Sequence, residues 1–209
     1  MKSKITSLAI AVLAFIAMFW LGRAVGQVPD PGWMMFSETL WVNHATALAA
    51  TLTYFGYPVV LAPICVALLV VAFFAPKWRW PIMCSIVAVL LAWQAADFLQ
   101  HVFARPRRDD WIWKHETAFS YPSSHAAIAT AFYLLWSVLV ARSTLAYRSI
   151  IAVLLALIGF GIFWARLALG AHYLTDIVGG ILLGISVAAM LAAVAPTNIF
   201  QGRGRPSLE

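Results

Sequence analysis

The sequence predicts an all-α fold: a bundle of six transmembrane helices, with a short helix at the outer membrane surface before the second span. The 209 residues are 63% hydrophobic and only 11% charged, whereas soluble domains contain about 25% charged residues. Six segments are also apolar over the roughly 20 residues that a membrane-crossing helix needs. We therefore expect one integral-membrane domain covering residues 1–209.

The six predicted spans follow one another without an internal repeat or a long linker. Their approximate bounds are 5–22, 57–75, 81–102, 123–141, 149–169 and 173–195. The first could instead be a signal peptide, because Lys2 and Lys4 precede it and small residues follow it. An uncleaved span is favoured, because the apolar run is longer than the usual core of a signal peptide. Residues 37–54 form the candidate surface helix, which Pro58 separates from the second span.

The distribution of basic residues predicts the orientation of the bundle. With the N-terminus in the cytoplasm, eight of the 14 Lys and Arg residues fall on the cytoplasmic side. Seven of the eight acidic residues fall on the opposite side or in the membrane. This is the asymmetry of the positive-inside rule, so we expect both termini in the cytoplasm of a plasma-membrane protein. Topology accounts for the net charge of +6, and no nucleic-acid partner is needed to explain it.

A group of ionisable residues follows the fifth span, in the spacing Arg166-x5-His172-x3-Asp176. Such residues beside long apolar runs are functional candidates. On a helix, His172 and Asp176 would share a face and could hydrogen-bond, which is how a carboxylate prepares a histidine as nucleophile or base. Arg166 adds a fixed cation with a fork that suits phosphate oxygens.

Two further motifs fall on the same predicted side of the membrane. Arg105-Pro106 follows the third span, and Pro122-Ser123-Ser124-His125 begins the fourth. A serine before an apolar run is typical of a helix N-cap, and a helix N-terminus attracts anions. The predicted topology therefore gathers Arg105, His125 and the Arg166–Asp176 group at the outer ends of four spans.

These residue types together favour phosphoryl transfer. Two arginines and a helix N-terminus suit a multiply charged oxyanion. Two histidines with different neighbours suggest a division of labour, in which the one oriented by a carboxylate attacks and the other protonates the leaving group. We expect a phosphohistidine intermediate without a metal ion or other cofactor.

The three motifs resemble the signature motifs of the type 2 phosphatidic acid phosphatase superfamily, in its integral-membrane branch. The resemblance covers roughly half of the chain, from the third span to the sixth. It implies that His172 is the nucleophile, Asp176 its orienting partner and His125 the general acid and then base. It also implies that Arg105, Arg166, Ser123 and the amides of Ser124 and His125 hold the phosphate. The implied activity is hydrolysis of a lipid phosphate or pyrophosphate at the periplasmic or extracellular face, on substrates such as undecaprenyl pyrophosphate, phosphatidylglycerol phosphate, phosphatidic acid or lipid A phosphates.

The chain departs from the family pattern at three positions. Phe98 stands where the family usually has a lysine, Ser124 where it has a glycine, and Ala165 where it has a serine. Candidates to replace the missing lysine are His101, Arg107, Arg108 and Lys114. The changes leave the expected nucleophile, acid and carboxylate in place.

Three other interpretations remain open at this level. The same site could pass the phosphoryl group to another lipid, as a phosphotransferase. A degenerate site could serve lipid binding or transport without catalysis, which Phe98 and Ala165 favour. His125, His172 and Asp176 are also metal-ligand types, although the neighbouring arginines would repel a divalent cation. The sequence does not indicate the oligomeric state.

Overall fold

A computed structural model describes residues 2–32, 44–108, 117–141, 143 and 145–194, and helices account for most of them. Eight α-helices follow one another: α1 (Lys2–Val25), α2 (His44–Tyr54), α3 (Pro58–Phe74), α4 (Arg79–Phe103), α5 (Ser124–Ala129), α6 (Leu135–Ala141), α7 (Arg148–Ala168) and α8 (Leu174–Val194). A single π-helical turn, Thr130–Leu134, joins α5 to α6 in one continuous span. A short 3₁₀ turn, Pro76–Trp78, links α3 to α4.

The predicted all-α membrane fold is confirmed, and the predicted spans match the helices to within a few residues. Five helices are long and apolar enough to cross a membrane, and α2 with α3 adds a sixth crossing if the pair is one bent span. The two helices of that pair meet at an angle of 45°. The bend falls at residues 55–57, just before Pro58, whose missing N–H is tolerated in the first turn of a helix.

The helix predicted before the second span is present from His44 onward, and residues 37–43 of the prediction lie outside the described residues. This helix, α2, is not an isolated surface element. Ala49 belongs to a buried cluster with Ala165, Ala168, Leu169 and Ala171 at the end of α7. The small residues let the two helices approach closely, as is usual between helices in membranes.

Helix α8 packs closely against the start of the fourth span. A Cβ added at Gly184 would lie 2.6 Å from the backbone oxygen of Ala127 and 2.6 Å from Cβ of Thr130. One turn earlier, a Cβ at Gly180 would collide with the backbone oxygen of Ser123. The two glycines therefore bring α8 against α5, which is the close packing that their spacing in the sequence predicts.

The loop before α5 is anchored to α1. The Tyr121 hydroxyl donates a hydrogen bond to the backbone oxygen of Met18 at 2.5 Å. Burial raises the pKa of this phenol, so it stays protonated and keeps its role as donor. The anchor fixes the residues that precede Ser123 and His125, and so helps to position the candidate site.

Candidate active site

His172 lies in the turn between α7 and α8 and is fully buried. Its two ring nitrogens face different neighbours. Nδ1 lies 3.3 Å from Oγ of Ser120 and 3.5 Å from Oδ2 of Asp176. Nε2 lies 3.2 Å from Nη1 of Arg107. Because His172 precedes α8 by two residues, the i,i+4 contact with Asp176 arises from the turn and not from a regular helix.

Ser120 connects the histidine to the carboxylate. Its hydroxyl donates to Oδ2 of Asp176 at 2.5 Å, so its oxygen can accept a hydrogen bond from the N–H at Nδ1 of His172. These hydrogen bonds favour the tautomer that carries the ring proton on Nδ1 and the lone pair on Nε2. The carboxylate thus orients His172 through a hydroxyl as well as by proximity.

Asp176 is held in place by the start of its own helix. Oδ2 accepts a hydrogen bond from the backbone N–H of Tyr173 at 2.9 Å, which is the backward bond of a capping box. Oδ1 accepts from Nη1 of Arg105 at 2.7 Å. The backbone oxygen of Asp176 accepts from the N–H of Ser123, which joins the start of α8 to the start of α5.

Arg105 is buried, and its donors are all directed at acceptors of this chain. A guanidinium group has five N–H donors. Nε donates to Val28 O (3.2 Å), Nη1 to Thr175 Oγ1 (2.7 Å) and Asp176 Oδ1 (2.7 Å), and Nη2 to Val28 O (2.7 Å) and Asp30 Oδ1 (2.9 Å). The ring of Tyr173 lies 4.2 Å from the guanidinium carbon. The phosphate-binding role implied for Arg105 stays a prediction, and this geometry favours another role.

Arg107 contacts Nε2 of His172. Its Nη1 donates to the backbone oxygen of Ala171 at 3.0 Å as well as to Nε2 of His172. Its Nε donates to the backbone oxygen of Ala118 at 2.7 Å. The side chain is half-buried. Its guanidinium therefore lies beside the position that a phosphoryl group would occupy on approaching Nε2.

Arg166 reaches the site from the last turn of α7. It is fully buried, and its Nη1 donates to Oγ1 of Thr53 at 3.2 Å. Thr53, on α2, is itself fully buried. Helix α2 therefore contributes a polar side chain that steadies the second arginine, which a purely surface helix would not do.

His125 stands in the first turn of α5, against the bend between α2 and α3. The ring of Tyr57 packs edge-on against the imidazole at 4.5 Å, and a Cβ at Gly56 would lie 2.6 Å from Cδ2 of the histidine. Within the described part of the chain, neither ring nitrogen of His125 has a hydrogen-bond partner. Arg166, His172 and Arg107 are close enough to act on it electrostatically. A buried imidazole whose nitrogens have no partner among the described residues is suited to meet a ligand.

Ser123 caps α5, as its position in the sequence predicts. Its Oγ accepts from the N–H of Ala126 at 3.4 Å, and its own backbone is extended. Ser123 is fully buried and Ser124 half-buried. The role of these serines in phosphate binding remains a prediction.

The departures from the family pattern differ in their surroundings. Phe98 is 67% exposed and therefore lies on the lipid-facing side of α4. His101 is exposed too: its ring packs on Phe119, and its Nδ1 contacts the backbone oxygen of Asp97. Ala165, in contrast, is fully buried in the cluster that joins α7 to α2.

Of the candidates to replace the missing lysine, Arg107 is the one placed at His172. His101 contacts Phe119 and the backbone oxygen of Asp97, and Arg108 lies 6.0 Å from the ring of Tyr173. Lys114 lies outside the described residues.

Several contributors to the site were not predicted from the sequence, among them Ser120, Asp30, Thr53 and Gly56. Ser120 carried a weak signal, because it stands three residues before Ser123 in the same short segment. The other three reach the site from segments that precede the matched motifs. No local pattern connects them to residues more than 60 positions away.

A model of the PAP2 superfamily matches residues 81–200, more than half of the chain. The chain belongs to the PAP2 superfamily. The fold is similar to that of a crystal structure described as the first transmembrane PAP2 type phosphatidylglycerolphosphate phosphatase from Bacillus subtilis, with a TM-score of 0.63 and 17% sequence identity. The alignment covers 91% of this chain and 94% of the other. The comparison with curated proteins yields no match.

Family and fold together identify a multi-pass membrane protein with a phosphatase framework. The matched region contains all three motifs, and Asp30, Thr53 and Gly56 precede it. Among the described residues, no three His, Cys, Asp or Glu side chains are grouped as a metal site. Metal independence stays a prediction.

Proposed function

We propose that this PAP2 protein is a lipid phosphatase that releases phosphate from a lipid phosphate or pyrophosphate at the non-cytoplasmic face, through a phosphohistidine on His172. The observation that carries the proposal is the arrangement around its imidazole. Ser120 and Asp176 lie on the Nδ1 side, and a half-buried arginine lies on the Nε2 side. That arrangement supports an oriented nucleophile facing a cation, as transfer of a charged phosphoryl group requires.

In the first step, Nε2 of His172 attacks phosphorus, and the bond from phosphorus to the lipid oxygen breaks. His125, protonated at this stage, gives its proton to the departing oxygen. Arg107 and Arg166 neutralise charge on the phosphoryl oxygens, with the amides at the start of α5 as further donors.

In the second step, His125 removes a proton from water, whose oxygen attacks phosphorus. The bond between phosphorus and Nε2 breaks, phosphate leaves, and both histidines return to their starting protonation states. The buried, unpartnered ring nitrogens of His125 support this double role, because they are available to a leaving group or a water molecule.

An apolar cavity supports a substrate with a lipid tail. It has a volume of about 320 Å³ and lies between α3, the fourth span and α7. Phe55, at one end, immediately precedes the Gly56–Tyr57 segment that covers His125. Trp136, another lining residue, stands 11 positions after His125 on the same span, about 16 Å along a helix. We propose that this cavity accommodates part of the chain attached to the phosphate.

Phosphate release from a panel of substrates in detergent tests the function. The panel contains long-chain lipid monophosphates, a long-chain lipid pyrophosphate, their short-chain analogues and a water-soluble phosphate monoester. We expect turnover of a long-chain lipid at least about tenfold faster than that of the soluble ester, and loss of activity in His172→Ala. Equal rates for the parent and His172→Ala would overturn the proposal.

Two additions to the same assay separate the remaining interpretations. With a substrate labelled in its phosphate, label recovered on a second lipid would indicate a phosphotransferase, and label in free phosphate a hydrolase. Turnover that persists in EDTA would support chemistry without a metal ion, whereas its loss and recovery with a divalent cation would contradict it.

A further inference from the structure

The counter-charges of Arg105 come from two distant parts of the chain. Asp30 follows α1, outside the region that matches the family, whereas Asp176 stands in the first turn of α8. Nη2 of Arg105 bonds to the first carboxylate at 2.9 Å and Nη1 bonds to the second at 2.7 Å. The side chains of all three residues are at most 2% exposed, so a single cation is shared between two buried anions.

Asp30 also accepts two hydrogen bonds from Thr175, at the start of α8. Its Oδ1 accepts from Oγ1 of Thr175 at 2.6 Å, and its Oδ2 accepts from the backbone N–H of the same threonine at 3.0 Å. Thr175 precedes Asp176, so Asp30 binds the residue next to the carboxylate that faces His172. The loop after α1 is thereby attached to the helix that carries this carboxylate.

The hydrogen bonds of Arg105 leave it no donor for a substrate. Its five N–H groups are all directed at acceptors within the chain, two of them carboxylates. A phosphate could bind Arg105 only by displacing one of these acceptors. Displacement of Asp30 or Asp176 would leave a buried carboxylate without its cation, which is strongly unfavourable. Displacement of Val28 O or Thr175 Oγ1 would instead break the contact of Arg105 with the loop after α1 or with the start of α8.

We propose that Asp30 and Arg105 form a positioning clamp for Asp176, and through it for His172, and that Arg105 does not contact the phosphate. The clamp holds Oδ2 of Asp176 toward Ser120 by fixing Oδ1 from the opposite side. Arg107, which contacts Nε2 of His172, is the arginine of this segment that binds the phosphoryl group. This inference rests on the proposed function, because it assigns roles within the same site.

The clamp predicts a separation of turnover from phosphate binding. In Asp30→Asn, we expect kcat to fall about 10–100-fold. This is the range typical of residues that do not contact the reacting atoms but orient a residue that does. The inhibition constant for inorganic phosphate should stay within about twofold of the parent value, because no phosphate contact is lost. Arg107→Gln should instead raise that constant by at least about tenfold, through loss of a charge-assisted contact.

Asp97→Asn is the matched control, because it removes an exposed carboxylate on α4, and we expect parental kinetics. Asp30→Glu, which keeps the charge, should recover part of the lost kcat. The double variant Asp30→Asn with Arg105→Gln should have the same kcat as Arg105→Gln alone. Asp30 acts through Arg105, so the effects of the two substitutions should not add.

Phosphate-induced thermal stabilisation, followed in detergent, measures binding without turnover and serves for any variant that is inactive. Retained stabilisation in Asp30→Asn and Arg105→Lys supports the clamp. Its loss in Arg105→Lys, or a parental kcat in Asp30→Asn, overturns the clamp. If Asp30→Asn does not fold, the clamp is tested with Asp30→Glu and Arg105→Lys instead. The measurements are again kcat and the thermal stabilisation by phosphate. Full activity in His172→Ala is a different result, which overturns the proposed function itself.

Discussion

Ser120 stands between the two residues on which orientation of the nucleophile depends. Its hydroxyl is 2.5 Å from Oδ2 of Asp176 and 3.3 Å from Nδ1 of His172. The direct distance from the carboxylate to the imidazole is 3.5 Å, longer than a good hydrogen bond. At the scale of single residues, the hydroxyl therefore carries much of the coupling that the spacing of the histidine and aspartate alone suggests.

Ser120→Ala should lower kcat about 10–100-fold and change KM little, because it removes the partner of Nδ1 but no contact to substrate. Steady-state kinetics with the best lipid of the panel measures the two constants separately. Ser186→Ala is the matched control: Ser186 is also buried on the bundle interior, and its hydroxyl donates to the backbone oxygen of Ala11. A parental kcat in Ser120→Ala would mean that Asp176 orients His172 without the serine.

The bend between α2 and α3 is the element that covers His125. Gly56 lies so close to the imidazole of His125 that any side chain at position 56 would displace the ring. A Cβ there would lie 2.6 Å from Cδ2 of the histidine. Helix α2 meanwhile packs on α7 and holds Arg166 through Thr53. The bent pair thus contacts both His125 and Arg166, the proposed general acid and one of the proposed phosphate-binding arginines.

Gly56→Ala should reduce kcat by at least about tenfold, because the added methyl moves His125 from the position of a general acid. Gly32→Ala is the control, since its Cβ would meet none of the described residues within 4 Å, and its rate should equal that of the parent. The same two variants are then assayed with a lipid phosphate whose leaving group needs little protonation. This assay separates displacement of the general acid from a general disturbance of the site. A smaller defect with that lipid supports displacement of the acid, whereas an equal defect contradicts it.

At the scale of the whole molecule, local pattern predicted the spans and the three motifs, whereas the support of the site came from distant contacts. Apolar length sets the bounds of a membrane helix, so α4 and α8 agree with their predicted spans to within two residues. The contact between Asp30 and Thr175 joins residues 145 positions apart. Such a pair depends on how α1 packs against α8, which hydropathy along the chain does not encode.

The two ends of the bundle use their arginines differently, and this sharpens the predicted orientation. At the site end, Arg105 and Arg166 are fully buried in polar contacts within the chain. They serve the fold and the site, and so add little to the free positive charge of that face. Lys77 and Arg79 lie at the turn between α3 and α4, at the opposite end. The positive-inside rule therefore predicts that this turn lies in the cytoplasm and the site on the other side of the membrane.

Labelling of single added cysteines with a membrane-impermeant maleimide tests this orientation. In intact cells, Gly32→Cys should react and Lys77→Cys should not, and both should react once the membrane is permeabilised. The parent is the control for the native thiols, because Cys65 and Cys84 are half-buried within spans. If Gly32→Cys reacts and Lys77→Cys does not, intact cells should also release phosphate from a substrate added outside them. The reverse labelling would place the site in the cytoplasm, because Gly32 follows directly on the loop whose Asp30 binds Arg105.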